Sequence, residues 1–326
     1  MRTPGSLRRK QSGIALIAVL WLTILLTVIA SSFAFSMHGE AVAARNTLSL
    51  AQARAAADGA VERTAFELIR PRNLPDVWLP DGSTQTWTDG EIKLTATAVD
   101  ESARIDLNIA SDPLLKGLLQ NVGGLDTFAA DSVLAAIQDW RDADDLKRPN
   151  GAEEADYRAA GKKYKPTNAV FDSVGELARV MGVTPGLMER VADSLTVYAR
   201  QPGINPATAT RDVLLAIPNM TPEIADAFIA LRKEALANKL PVPPLPQAQG
   251  FVSNPASVWR IHAEATTPDG VTFVRDAVLR PSVDPRRPVI ALLWQQGART
   301  PPPAPTPDAD SGARMATDSK DGKPQR

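Results

Sequence analysis

The stretch IALIAVLWLTILLTVIASSFAF, from Ile14 to Phe35, decides the fold of this chain. Its 22 residues include no charged residue and no proline. At about 1.5 Å per residue, a helix of that length spans about 33 Å, which is enough to cross the ~30 Å hydrocarbon core of a bilayer. The stretch therefore predicts a single membrane-spanning helix.

The residues before this stretch predict its orientation. The leader MRTPGSLRRKQSG carries only positive charges, at Arg2, Arg8, Arg9 and Lys10. Positively charged flanks of a membrane span stay in the cytoplasm. We therefore expect residues 1–12 to be cytoplasmic and the residues after the span to lie outside the cytoplasm. A cleaved secretory signal would have an apolar run of only about 7–15 residues, and this run is longer.

The residues after the apolar stretch extend the helix. Residues 40–70 are rich in Ala, Leu, Glu and Arg, which favour helices, and the next proline is Pro71. Small apolar residues recur at helical spacing in this half, at Val42, Ala53, Ala57, Ala60 and Val61. The pattern predicts one helix from about Ile14 to Ile69, apolar in its first half and amphipathic in its second.

Composition excludes several classes of function. The 326 residues carry a net charge of −1, which argues against a general binder of nucleic acid. The sequence has no cysteine and two histidines, so disulfides, thiol nucleophiles and multi-histidine metal sites are excluded. We expect no enzymatic activity, because paired carboxylates occur only in a charge-dense segment and aromatic residues make up just 5% of the chain.

The remaining sequence alternates between strand and helix patterns. Residues 71–90 predict a loop, and apolar residues then alternate from Ile92 to Ala98 as in a half-buried strand. Three more strands are predicted at 257–266, 271–280 and 288–294, the first two joined by the turn Pro268-Asp269-Gly270. Six helical segments separate the first strand from these three, at 112–121, 126–141, 172–181, 185–199, 206–217 and 221–237. The simplest architecture is an α+β domain with an all-helical insertion.

The junction between leader and apolar run resembles the prepilin peptidase site of type IV pilins and pseudopilins. Gly13 stands at the start of the apolar run, and the resemblance implies cleavage between Gly13 and Ile14, with N-methylation of Ile14. Most members of that family carry Glu at the fifth mature position, which here is Ala18. In lacking Glu at this position, the chain resembles the K subunits of type II secretion systems, which cap the pseudopilus.

The resemblance to the K subunits implies a pseudopilin fold, in which a long N-terminal helix packs on an antiparallel sheet, with a large inserted all-α domain. The expected divisions are a leader (1–13), a transmembrane part (14–35), a first pseudopilin part (36–110), the insertion (111–250), a second pseudopilin part (251–297) and a disordered tail (298–326). By resemblance the protein is a single-pass inner-membrane protein with a periplasmic C-terminal domain. It would support pseudopilus assembly and export of folded proteins across the outer membrane. The implied partners are the I and J minor pseudopilins, then H, the inner-membrane assembly platform and the prepilin peptidase.

Residues 138–157 hold an acidic segment with two open readings. Seven carboxylates crowd it, so it is either a solvated loop or a site for a cation such as calcium, which binds six to eight oxygens. The seven are Asp139, Asp142, Asp144, Asp145, Glu153, Glu154 and Asp156. The segment also resembles the K-subunit motif whose acidic loop binds calcium, which implies a structural Ca²⁺. The candidate ligands are Asp142, Asp144, Glu153 and Glu154, with Asp139 and Asp145 as second choices.

An alternative function comes from residues 204–233, which resemble a helix-hairpin-helix unit; residues 176–195 form a weaker copy. In DNA-binding hairpins, glycines expose backbone N–H groups to phosphate. Here Asn219 and Thr221 replace those glycines, and acidic residues offset the nearby basic ones. We therefore expect a packing hairpin and no nucleic acid, and we keep a membrane-anchored DNA-uptake protein as the alternative.

Overall fold

The computed structural model of this chain describes residues 14–298, except residues 72, 75, 239, 254 and 256. The leader with Gly13 and residues 299–326 of the tail lie outside the described residues. The predicted long helix is present as α1 (Ile14–Ile69), and it runs without a break through both halves. Within the described residues, this is the one helix long and apolar enough to cross a membrane.

Five antiparallel strands form one sheet in the order β1-β2-β5-β6-β7. Their bounds are β1 (Asp81–Asp89), β2 (Ile92–Asp100), β5 (Trp259–Thr266), β6 (Thr272–Pro281) and β7 (Val289–Gln296). The prediction of a loop over 71–90 is wrong for its second half, which forms β1. This edge strand is polar and mostly exposed, so it lacks the apolar alternation that identifies half-buried strands.

Helix α1 packs its second half on β2, β5 and β6. The contact consists largely of small side chains, which let the helix backbone approach the sheet closely. On the helix these are Ala53, Ala57, Ala60, Val61 and Ala65, and on the sheet Ala96, Ala98, Ala263, Ala265 and Ala277. Val42, which shares the helical spacing, lies outside this contact and is 42% exposed.

Polar contacts fix α1 against the sheet at two heights. Arg275 on β6 is buried beneath the helix, and its Nε donates to Oδ1 of Asp58 at 2.6 Å. Further toward the membrane, Ser49 donates to Oδ2 of Asp269 at 2.5 Å, in the turn between β5 and β6. The alanine side chains are too small to interlock and fix the helix along its axis. The two polar contacts therefore set its position on the sheet.

The helical region between β2 and β5 contains six α-helices. They are α2 (Asp112–Gly117), α3 (Thr127–Arg141), α4 (Glu154–Ala159), α5 (Pro185–Val191), α6 (Arg211–Leu215) and α7 (Pro222–Ala237). A short parallel pair, β3 (Ile105–Asp106) and β4 (Leu195–Thr196), also lies here. The region has its own apolar core, distinct from the cluster between α1 and the sheet.

Three of the predicted helices are shorter than the sequence pattern indicates. Residues 172–181 hold a 3₁₀ helix (Val174–Arg179), and the segment 185–199 ends in strand β4. Thr184 and Thr221, each directly before a proline, cap α5 and α7. Asn205 also precedes a proline but forms only a turn, and the next helix, α6, starts after Thr210, which caps it.

A buried carboxylate joins the sheet to the helical region. Glu101 lies in a 3₁₀ turn (Glu101–Ala103) directly after β2, and its side chain is 1% exposed. Its Oε1 accepts from Arg260 Nε on β5 at 2.6 Å and lies 3.5 Å from Arg104. Its Oε2 accepts from the hydroxyl of Thr196 on β4. The side chain of Glu101 therefore connects the five-stranded sheet to the helical region.

The substitution Glu101→Ala should lower the free energy of unfolding by about 3–5 kcal/mol, because it leaves the partly buried Arg260 and Arg104 without their anion and the buried Thr196 hydroxyl without its acceptor. The matched control is Asp226→Ala, which removes an exposed partner of Arg211 and should cost less than about 1 kcal/mol. Urea denaturation of both variants in detergent measures the difference. Equal losses would contradict the role of Glu101 at the junction.

Candidate functional site

The first half of α1 presents apolar side chains on every face. Leu16, Trp21 and Phe33 are among those that lie largely exposed, and no other described element covers them. The hydroxyls of Thr23 and Thr27 donate to the carbonyls of Leu20 and Thr23 within the helix, each at 2.8 Å. These two hydroxyls are thus satisfied within the helix, as polar groups in hydrocarbon must be.

Of the two residues predicted for cleavage, the structure describes one. Ile14 is the first residue of α1, and Gly13 lies outside the described residues. Ala18, at the fifth position after the predicted cut, is exposed on the helix surface. The helix therefore carries no carboxylate at this position.

The acidic segment forms a loop between α3 and α4, and Asp139 lies at its base. Asp139 is on the last turn of α3 and is fully buried. The chain turns back at Asn150, which has φ +65, and Gly151. A Cβ on Gly151 would lie 2.0 Å from Asp139 Oδ2, so only glycine lets the loop pass this close to the carboxylate.

A single guanidinium group lies between two of the carboxylates. Arg148 Nη1 contacts Asp139 Oδ1 at 3.1 Å and also forms an ion pair with Asp142 Oδ2. The backbone N–H of Arg148 points at both oxygens of Asp139, each at 3.3 Å. Asp139 and Asp142 are three residues apart and so share one side of the helix end, where Arg148 neutralises part of their charge.

Glu153 is the carboxylate whose charge is not compensated. It is 6% exposed, and neither side-chain oxygen has a hydrogen-bond partner among the described residues. Burial, followed by repulsion from Asp139 and Asp142, raises its pKa to about 7. Oδ1 of Asp142 is likewise buried without a partner in the described part of the chain. Three buried carboxylate oxygens are therefore left unsatisfied in this loop, which is costly without a cation or water.

The other candidate ligands point elsewhere. Glu154 contacts Arg158 at 2.5 Å and Lys165 at 2.9 Å, and these hydrogen bonds hold its pKa below the ordinary value. Asp145 accepts from the side chain of Asn168 at 2.8 Å, and Asp144 accepts from the backbone of Leu146. In residues 14–298, as placed and with the five gaps, no three carboxylates or histidines form a group that could hold a metal ion.

Aromatic side chains pack together beneath the acidic loop. The ring of Trp140 stacks on Phe171 with centroids 6.2 Å apart, and it lies 5.8 Å from the ring of Tyr157. The Tyr157 hydroxyl accepts from the backbone N–H of Met181 at 2.8 Å. The cluster fixes both ends of the acidic loop, because Trp140 follows Asp139 and Tyr157 lies on α4.

In the hairpin at residues 204–233, both Arg211 and Arg232 bind other groups of the same hairpin. Asn219 takes the left-handed conformation, with φ +62, at a position where such hairpins carry glycine. Arg211 forms a two-pronged ion pair with Asp226, at 2.6 and 3.0 Å. Arg232 donates to the carbonyls of Pro206 and Ala209. These contacts stabilise a packed hairpin, in which both arginines bind groups of the protein itself. The DNA-uptake alternative therefore gains no support.

Comparison with known proteins gives matches to one family. The family model for type II secretion system (T2SS), protein K, matches residues 94–202. Type II secretion system protein K of Klebsiella pneumoniae is 28% identical over 233 residues, which cover 64% of this chain and 71% of that protein. The protein of the same name from Pectobacterium carotovorum subsp. carotovorum is 27% identical over 252 residues, with 69% and 76% covered.

A solved structure is similar in fold. It is the crystal structure of the GspK–GspI–GspJ complex from the type 2 secretion system of enterotoxigenic Escherichia coli. The match has a TM-score of 0.56 and 14% sequence identity, and it covers 78% of this chain and 99% of the matched chain. The arrangement of long helix, antiparallel sheet and helical region is therefore one that a solved protein also adopts.

Proposed function

We propose that this chain, which belongs to the type II secretion system protein K family, is a minor pseudopilin at the tip of the pseudopilus. The observation that carries the proposal is the unbroken helix α1. Its first half has the apolar surface of a membrane span, and its second half packs on the sheet. One rigid element thus connects the bilayer to the folded domain, as a filament subunit drawn from a membrane requires.

The membrane half holds the chain in the inner membrane until assembly. The basic leader supports an orientation with residues 1–12 in the cytoplasm and the folded domain in the periplasm. Removal of the leader by the prepilin peptidase would expose the amine of Ile14, which is then methylated. The chain would act as a structural part of a machine that exports folded proteins from the periplasm across the outer membrane.

Two features support a position at the tip. Ala18 offers no carboxylate to the amine of a subunit above, and a subunit at the tip has no subunit above it. The helical region, with a core of its own inserted between β2 and β5, adds bulk that would obstruct stacking of a further subunit. Both features suit a terminal subunit better than a repeating one.

The partners follow from the related complex. The similar structure contains GspK together with GspI and GspJ, so we propose that this chain assembles with the I and J minor pseudopilins. The H subunit would lie beneath them, and the inner-membrane assembly platform would supply the chain to the filament. We propose no nucleic-acid partner, because Arg211 and Arg232 of the hairpin are bound to other groups of the chain.

We further propose a structural calcium ion at the acidic loop. The unsatisfied oxygens of Glu153 and Asp142, with buried Asp139 beside them, are hard donors of the kind that calcium prefers. The Arg148 guanidinium would have to leave the space between the two aspartates when the ion binds. Asp144, Glu154 and Asp145 are held by other partners, so the proposed ligands are Glu153, Asp142 and Asp139. The ion would pin the loop and take no part in catalysis.

Intact mass of the membrane-extracted protein tests processing. In the presence of the prepilin peptidase, the chain should lose residues 1–13 and gain one methyl group on Ile14. Without the peptidase, the mass should match the full sequence. A leader retained in both conditions would make the chain an ordinary single-pass anchor and would remove the main support for a pseudopilin.

Co-expression with the I and J minor pseudopilins of the same secretion system tests the tip role. The chain should co-purify with both from detergent extracts, because exposed faces of α1 and the folded domain would be buried between subunits. An unrelated single-pass protein expressed in parallel should not be retained. If the chain elutes alone while I and J bind each other, the proposed partnership is wrong.

Calcium should raise the melting temperature of the protein, and excess chelator should reverse the effect, because the ion neutralises Glu153 and Asp142 only in the folded state. Glu153→Gln should abolish most of this response. Glu154→Gln is the matched control and should retain it, since Glu154 faces Lys165 and Arg158. Differential scanning calorimetry measures all three. A melting temperature that calcium does not change, or a calcium response lost only in Glu154→Gln, would contradict this site.

A further inference from the structure

A groove runs between the last strands of the sheet and the helical region. It consists of two adjoining cavities of about 320 and 480 Å³, which share Tyr198, Arg200 and Leu292. Arg280 lines the first cavity and Ile109 lines the second. We call this the junction groove, because residues from both cores form its walls.

Two arginines of the junction groove have no ionic partner. The side chains of Arg200 and Arg280 are exposed, and neither contacts a carboxylate in the described part of the chain. Other arginines near this junction are used: Arg260 holds Glu101, and Arg275 holds Asp58. Two guanidinium groups that line one cavity and lack ionic partners can both bind the same carboxylate.

Arg200 is held in the groove at a conformational cost. Its φ is +53, in the left-handed region that disfavours any residue with a Cβ. The backbone N–H of Arg200 donates to Oδ2 of buried Asp106 at 2.7 Å, and Oδ1 of Asp106 accepts from the backbone of Asn108 at 2.9 Å. Glycine would suit this backbone better. A residue whose backbone is held in a strained conformation and whose charged side chain has no ionic partner is an arrangement typical of binding sites.

Both arginines line the first cavity, whose walls in the described part of the chain contain no carboxylate, whereas Asp106 and Asp172 line the second cavity beside apolar side chains at a sheet edge. Ile109, Val170 and Leu292 are 44%, 62% and 37% exposed, so apolar surface flanks the arginines. Leu292 belongs to β7, which pairs only with β6 among the described strands. An edge strand offers unpaired backbone groups to an extended chain, and its side chains give the contact specificity.

We propose that the junction groove binds an extended acidic segment of a partner protein. A carboxylate of that segment would lie between Arg200 and Arg280, and its neighbouring apolar side chains would contact Ile109, Val170 and Leu292. The charge complementarity selects the acidic residue, and the apolar flanks select a peptide over a free anion. This surface is separate from the membrane half of α1, so the proposal does not depend on the tip position.

The test uses the full chain in detergent and two fluorescein-labelled peptides, acetyl-Val-Leu-Glu-Val-Leu-Thr-amide and its counterpart with Gln for Glu. By fluorescence anisotropy, the Glu peptide should bind about tenfold more tightly than the Gln peptide, a difference that corresponds to about 1.4 kcal/mol. Its affinity should fall with added salt. Free acetate at the same concentration should not displace it.

The variant Arg200→Gly separates binding from folding. It should remove the preference for the Glu peptide, yet leave the melting temperature unchanged or higher, because glycine relieves the left-handed backbone and keeps the N–H bond to Asp106. Arg280→Gln should weaken binding of the Glu peptide to a similar degree. The matched control removes two exposed arginines from the turn between β6 and β7, as Arg286→Gln with Arg287→Gln, and should bind like the parent chain.

Two results would overturn the proposal. Equal affinity for the two peptides would show that the arginines do not recognise a carboxylate. Retention of the preference in Arg200→Gly, or its loss in the Arg286/Arg287 control, would place recognition outside the junction groove.

Discussion

The close packing of α1 on the sheet depends on alanines that face one another across the contact. Small side chains on both surfaces allow the helix to lie flat against three strands, while the same helix continues as an apolar rod toward the membrane. Apolar burial alone would let such a smooth stripe slide. The ion pair between Arg275 and Asp58 and the hydrogen bond between Ser49 and Asp269 fix its position. The folded domain is thereby rigidly connected to the segment that enters the bilayer.

The junction between the two cores depends on a different interaction. Glu101 follows β2 at the point where the chain leaves the sheet, and its buried carboxylate contacts β5 and β4 together. Ionic groups at such a position specify geometry more than they add stability, because any other arrangement leaves a charge buried without a partner. The junction groove lies against this fixed geometry, so its walls keep a constant spacing.

The acidic loop shows how one unsatisfied group can direct a hypothesis. Arg148 balances Asp139 and Asp142, but nothing among the described residues balances Glu153. The aromatic cluster of Trp140, Tyr157 and Phe171 holds the loop ends in place, so the carboxylates cannot simply separate. Either a proton on Glu153, whose pKa is raised to about 7, or the proposed cation would relieve the repulsion. The loop would then stabilise the helical region, which in the proposed tip position forms the exposed end of the filament.

The sequence by itself determined the long helix, the alternating strands β2, β5, β6 and β7, and the acidic segment as a candidate site. Each of these depends on local periodicity or charge density, which neighbouring residues report directly. Strand β1 could not be predicted, because a polar edge strand obtains its order from β2 and not from its own pattern. Tertiary structure also decided which carboxylates meet. Glu153 turns inward beside Asp142, whereas its neighbour Glu154 faces Lys165, 11 residues further along. The strained, unpaired Arg200 left no mark in the sequence, because its conformation depends on Asp106, a residue 94 positions away.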